Sequence, residues 1–169
     1  MLSRSIADIF DRDLRALARE VEAYADERDL WRRPPGVENS GGTLALHLTG
    51  NVQYYLGALL GETGYRRDRP AEFATRDVPR AELLRRVEAA RAAVRAAAAR
   101  IGDEQLAGDF PEAVGGVRVE AGEYLVHLLT HFAYHLGQLD YHRRVVTGEA
   151  RGVDAVRVAE LGTARAVTD

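Results

Sequence analysis

The residues in this chain best suited to chemistry are histidines. His131 and His135 stand four apart in the segment YLVHLLTHFAYHLGQLDYHRR. A helix turns about 100° per residue, so both imidazoles fall on nearly the same side, one turn apart. Such a pair can hold one divalent metal ion. His47 lies in a second periodic segment, TLALHLTGNVQYYLGALL. If the two helices are neighbours, His47 completes a site of three neutral imidazoles, which leaves coordination positions open for water or a substrate. His127 lies one further turn along, but three consecutive turns span about 12 Å, too far for all three rings to meet one ion. It reads as a residue lining the pocket, and His142 as a surface or hydrogen-bonded core histidine. The HExxH pattern of zinc proteases is absent, because HFAYH places Phe132 where the general-base glutamate would stand.

Four amphipathic stretches would have to position these groups. Ile6, Ile9, Phe10, Leu14, Leu17, Val21 and Tyr24 recur at helical spacing, which predicts a first helix over about residues 4 to 26. The segment WRRPPGVENSGG interrupts it with paired prolines, forming a loop able to tuck Trp31 against the core. A second helix is expected from about Thr43 to Leu60, and a charged connection, GYRRDRPAEFATRDVP, follows. The third begins near Pro79 and runs to about Ile101, its many alanines suiting helix formation and close packing. Residues 102–119 read as irregular, with Gly115-Gly116 permitting a tight turn between short extended pieces. The fourth helix spans about Glu120 to Thr147. On it Leu125, Leu128, Phe132, Leu136 and Leu139 form a core stripe. His127, His131, His135, Gln138 and His142 form a polar band along its margin. Asn51 and Tyr54 fall within about 40° of His47 on the second helix. The predicted fold is therefore all-α, a four-helix bundle over residues 1–150, followed by a C-terminal tail over 151–169 that is docked or partly disordered.

Composition narrows the chemistry further. The 169 residues include no cysteine and no lysine, all 23 basic side chains other than histidine being arginine. Disulfides, a nucleophilic cysteine, a Schiff-base lysine and a Walker-type phosphate loop are excluded. Any thiol must arrive with a small-molecule substrate. A formal net charge of -3 without a long basic tract gives no footprint for nucleic acid or for an anionic membrane surface. No apolar run is long enough to span a bilayer, and MLSRSIADIFDRDLR is too charged for a secretory signal, so a cytoplasmic protein is expected. An exposed apolar helix face would support a homodimer unless the tail covers it.

The segments LALHLTGNVQYYLGALLG and HFAYHLGQLDYHRR resemble the second-helix histidine motif and the fourth-helix HxxxHxGQ motif of the DinB-like, or YfiT-like, superfamily. The intervening RRDRPAEF is similar to a segment seen in one branch, and the likeness runs from about residue 5 to 148. The resemblance implies an up-up-down-down bundle with a divalent metal, usually zinc or nickel. The ligands would be His47, His131 and His135, with Gln138 near the site or in helix packing. Several members are transferases or isomerases that use bacillithiol, mycothiol or glutathione. Here such a thiol would be activated by the metal and presented to a small electrophile. Arg66, Arg67 and Arg69 are candidates for pairing with carboxylates of the thiol or substrate. Two other readings stand beside this one. Metal-dependent hydrolysis needs a base, and no carboxylate shares the His131 band: Glu123 is about 80° away and Asp140 nearly opposite. A non-enzymatic, stress-associated protein would use the metal as a structural clamp.

Overall fold

The computed structural model describes residues 2–167. Helix α1 (Leu2–Glu22) buries Ile6, Phe10, Leu14, Leu17 and Val21, the stripe its periodicity predicts. It stops short of the expected residue 26 because the Asp26 carboxylate accepts from the Arg28 N–H (2.9 Å) and starts a separate 3-10 turn, Glu27–Leu30. Helix α2 (Gly41–Val52) begins where the Ser40 hydroxyl accepts from the Thr43 N–H, and all twelve of its residues are buried. The helical path then widens over Gln53–Ala58. There the Leu59 N–H reaches the Tyr54 carbonyl (3.1 Å), a five-residue step.

The expected connection after α2 contains a short helix, α3 (Arg69–Ala74). Asp68 caps it by accepting from the Ala71 N–H (3.0 Å), and Pro70 sits in its first turn. Helix α4 (Arg80–Ala98) follows directly on Pro79. Gly57 permits its close approach: a methyl group there would stand 2.8 Å from Ala93 Cβ. Residues 102–119 are less irregular than expected, since a one-turn helix α5 (Asp103–Leu106) precedes the tight turn. That turn forms as anticipated, with Val114 bridged to Val117 across Gly115 and Gly116, both at positive φ. Helix α6 (Ala121–Thr147) ends at Gly148 in the left-handed conformation.

The four long helices α1, α2, α4 and α6 form the bundle. α1 packs on α4 and α6, and α2 on α3, α4 and α6. Phe10 meets Phe132 edge-on in the centre, with ring centroids 6.3 Å apart, and Trp31 packs against the same core. No helix among the described residues is long and apolar enough to cross a membrane. The tail reaches α1, where Arg15 and Arg19 pair with Glu160, while Tyr134, Tyr141 and Val145 on α6 stay exposed.

Two polar side chains, His142 and Arg143, tie the C-terminal part of α6 to that of α1 and to the loop after it. His142 accepts from the Tyr24 hydroxyl at Nδ1 and donates from Nε2 to the Arg32 carbonyl, both at 2.7 Å. Burial keeps this ring neutral by pushing its pKa down. It is a core histidine. Arg143, 1 % exposed, donates to Glu20, 0 % exposed, at 2.6 Å. Burial pushes the Glu20 pKa up to about 7 even beside this arginine, so removing Arg143 leaves a buried carboxyl that must either take up a proton or stay charged without its partner. Arg143→Ala should therefore lower the unfolding free energy by about 3–5 kcal/mol in urea denaturation. A loss below about 1 kcal/mol, the size typical of an exposed pair, would contradict this account.

Candidate metal centre

His47 comes from the buried face of α2, and His131 and His135 from successive turns of α6. The packing of α2 on α6 brings the three together. One nitrogen from each ring lies within 4.8 Å of the others. His47 Nε2 stands 3.3 Å from His131 Nε2, and the His131 and His135 ring centroids are 4.6 Å apart. Two nitrogens bound tetrahedrally at about 2.0–2.1 Å to one zinc ion would be roughly 3.3 Å apart, so the observed spacing fits.

The remote ring nitrogens explain which atoms are free to bind. His47 Nδ1–H donates to Glu72 Oε2 (3.0 Å), and His135 Nδ1–H donates to Gln138 Oε1 (2.7 Å). Both contacts place the proton on Nδ1 and leave the Nε2 lone pair for a metal, an arrangement common to metal-binding histidines. His131 lacks this support, its Nδ1 being buried without a hydrogen-bond partner. Its ring stands among those of His47, His127 and His135, with centroids 5.2, 6.4 and 4.6 Å away. His47 is buried whereas His131 and His135 are only partly so, which gives the cluster an accessible side.

Glu72, carried by α3, is the site residue that sequence reasoning missed. Arg67 grips it through one edge of its guanidinium, Nε to Oε1 at 2.7 Å and Nη2 to Oε2 at 2.9 Å. Burial alone would raise the Glu72 pKa, but hydrogen bonds from His47 and Arg67 outweigh it and hold the carboxyl below its usual range. Glu72 is therefore an anion that orients His47. Gly50 makes its place: a Cβ there would lie 2.2 Å from Glu72 Oε1. Phe73, next on α3, faces the His47 ring at a centroid distance of 4.9 Å. The available signal was Asp68-Arg69-Pro70, a helix cap followed by proline, which announces α3 and places Glu72 on it.

The other candidates divide by position. Gln138 holds His135, and Asn51 is buried on α2 one turn beyond His47. Tyr54 donates to Glu112 (2.8 Å). His127 is exposed, stacked on Tyr124, with its ring centroid 6.4 Å from that of His131. Arg67 is committed to Glu72, Arg66 is exposed, and the Arg69 guanidinium lies 5.0 Å over the Phe73 ring. No carboxylate joins the three-histidine group among the described residues.

These contacts lead to two expectations. Glu72→Ala frees the His47 ring, and Gly50→Ala displaces the same carboxylate, so each should weaken zinc binding by about 10–100-fold. Unchanged affinity in both variants, measured by competition with a chromophoric chelator, would remove Glu72 from the site. The second concerns pH. Burial, reinforced by His135 and His47, lowers the His131 pKa to about 4 from an ordinary 6.5. The unfolded chain then binds the proton first, so the metal-free protein should lose stability as pH falls from about 6.5 towards 4. His131→Gln should flatten that part of the melting-temperature profile; an unaltered slope would contradict the shift.

Comparison with known proteins agrees with the motifs. No curated protein matches the chain, and no solved structure matches it. The family model of the DinB superfamily, however, matches residues 9–139, which include all three histidines and Glu72. That match covers most of the bundle, and the chain belongs to the DinB superfamily.

Proposed function

We propose that this protein binds one divalent ion, zinc or nickel, through His47, His131 and His135, and transfers a low-molecular-weight thiol to a small electrophile. The observation that carries the reading is the convergence of three imidazoles, two of them with their remote nitrogens fixed by Glu72 and Gln138. A nitrogen-only set suits either metal. A divalent ion bound there supplies Lewis acidity and lowers the pKa of a thiol.

The chain's own part is positioning. Glu72 and Arg67 hold His47, Gln138 holds His135, and the partly exposed side of the cluster admits the reactants. The S–H proton passes to solvent, a carbon–sulfur bond forms, and the leaving group departs with its electron pair. Asn51, Tyr54 and His127 are proposed to line the pocket, and Arg66, Arg67 and Arg69 to supply positive charge beside it. The thiol is of the bacillithiol, mycothiol or glutathione type, because the chain has no cysteine of its own. Such thiols are kept reduced in the cytoplasm, where we place the protein.

Hydrolysis has less support. Glu72, the carboxylate in contact with the histidines, is already engaged by two partners and held as an anion, so it is poorly placed to shuttle a proton. A purely structural clamp would need no accessible side.

Metal-loaded protein screened with each thiol against alkylating electrophiles should show turnover that His131→Ala lacks by about a hundredfold or more. Equal turnover by the two would defeat the reading. Chelation should also lower the melting temperature only modestly, whereas a collapse of the fold on metal removal would favour the clamp.

A further inference from the structure

Three arginines outside the histidine cluster share one depression. Arg33 comes from the loop after the 3-10 turn, Arg69 from the start of α3, and Arg76 from just beyond its end. They line a cavity of about 450 Å³ together with Phe73, Asn39 and Glu38. Elsewhere in the chain Arg67, Arg91 and Arg143 each grip a carboxylate. These three do not. Arg33 donates to the Glu38 carbonyl (3.4 Å), Arg76 donates through Nη1 to the carbonyls of Phe73 and Thr75 (both 2.7 Å), and Arg69 lies over the Phe73 ring.

Most donors of three planar guanidinium groups therefore remain open to a ligand, and their fork geometry suits carboxylate oxygens. Glu38 is the one negative side chain in the lining, so the cavity remains cationic overall. Phe73 belongs to both neighbourhoods: the Arg69 guanidinium lies 5.0 Å from its ring centroid and the His47 ring centroid 4.9 Å from it. A small molecule with its acidic end among the arginines would have its remaining atoms one phenyl ring from the histidines.

We propose that this cavity binds the carboxylates of the small molecule that reacts at the histidine cluster, which makes that reactant a di- or polycarboxylate. The inference depends on the metal-centre reading only for where the reactive end lies. The carboxylates belong either to the thiol or to the electrophile, and glutathione and succinate represent the two sources.

Nitrogen-labelled full-length protein, with and without zinc, is titrated with each probe and followed at the arginine Nε–Hε signals. Either probe should shift the signals of Arg33, Arg69 and Arg76. Glutathione acting alone would assign the acid to the thiol, and succinate acting alone to the electrophile. Arg69→Ala/Arg76→Ala should weaken binding by about tenfold or more, Arg118→Ala should leave it unchanged, and Glu38→Gln should tighten it. Succinamide should not bind. Absence of a response to both probes, or equal affinity in the double variant, overturns the proposal. Zinc stoichiometry measured on the same samples keeps the two readings apart. Zinc bound without an anion response defeats this cavity alone, and an anion response from protein that takes up no zinc when zinc is supplied defeats the metal centre alone.

Discussion

The hydrogen bond between Glu72 and His47 is the constraint around which the site is arranged. A buried carboxylate is costly unless its charge is matched, and Arg67 supplies the match with a bidentate contact. Its remaining hydrogen-bonding capacity is directed at His47, which fixes the proton on Nδ1 and exposes the nitrogen facing His131. This geometry in turn requires a residue without a side chain at position 50, and α2 provides Gly50 one turn from the histidine it serves. Helix α3, only six residues long, brings the Glu72 carboxylate and the Phe73 ring to the same side of His47.

The electrostatics of the assembled site have a definite sign. Three imidazoles contribute no charge to a bound divalent ion, and Glu72 is largely neutralised by Arg67. The adjoining cavity adds three further guanidinium groups against one carboxylate. The region is therefore cationic within a chain whose formal net charge is -3. On the proposed function, an anionic thiolate and an acidic reactant would supply the missing negative charge and tie the histidine cluster and the arginine cavity to one kind of chemistry.

Much of the fold was legible because it is periodic. The stripe from Leu125 to Leu139 is buried throughout, and the band beside it carries His131 and His135 as their four-residue spacing requires. His47 was found by its place on a second such helix. His142 lay in the same band, yet Tyr24 and Arg32 hold it as part of the core, a distinction that angular position alone could not make. Glu72 escaped notice for a different reason. Its partner is 25 residues away, and the surrounding Arg66, Arg67, Asp68 and Arg69 resemble a solvated connection. Its role depends on a contact between elements, which periodicity within one element does not encode. The cap at Asp68 and the proline at Pro70 were local signals for α3 and were readable.

The most direct test is the metal content of protein purified without an affinity tag and replenished with zinc or nickel. The account predicts about one divalent ion per wild-type chain and loss of that ion in His47→Ala, since each ligand comes from the same three-residue set. Wild-type protein that takes up no ion after replenishment, or His47→Ala protein that holds it as tightly as wild type, would contradict the three-histidine centre.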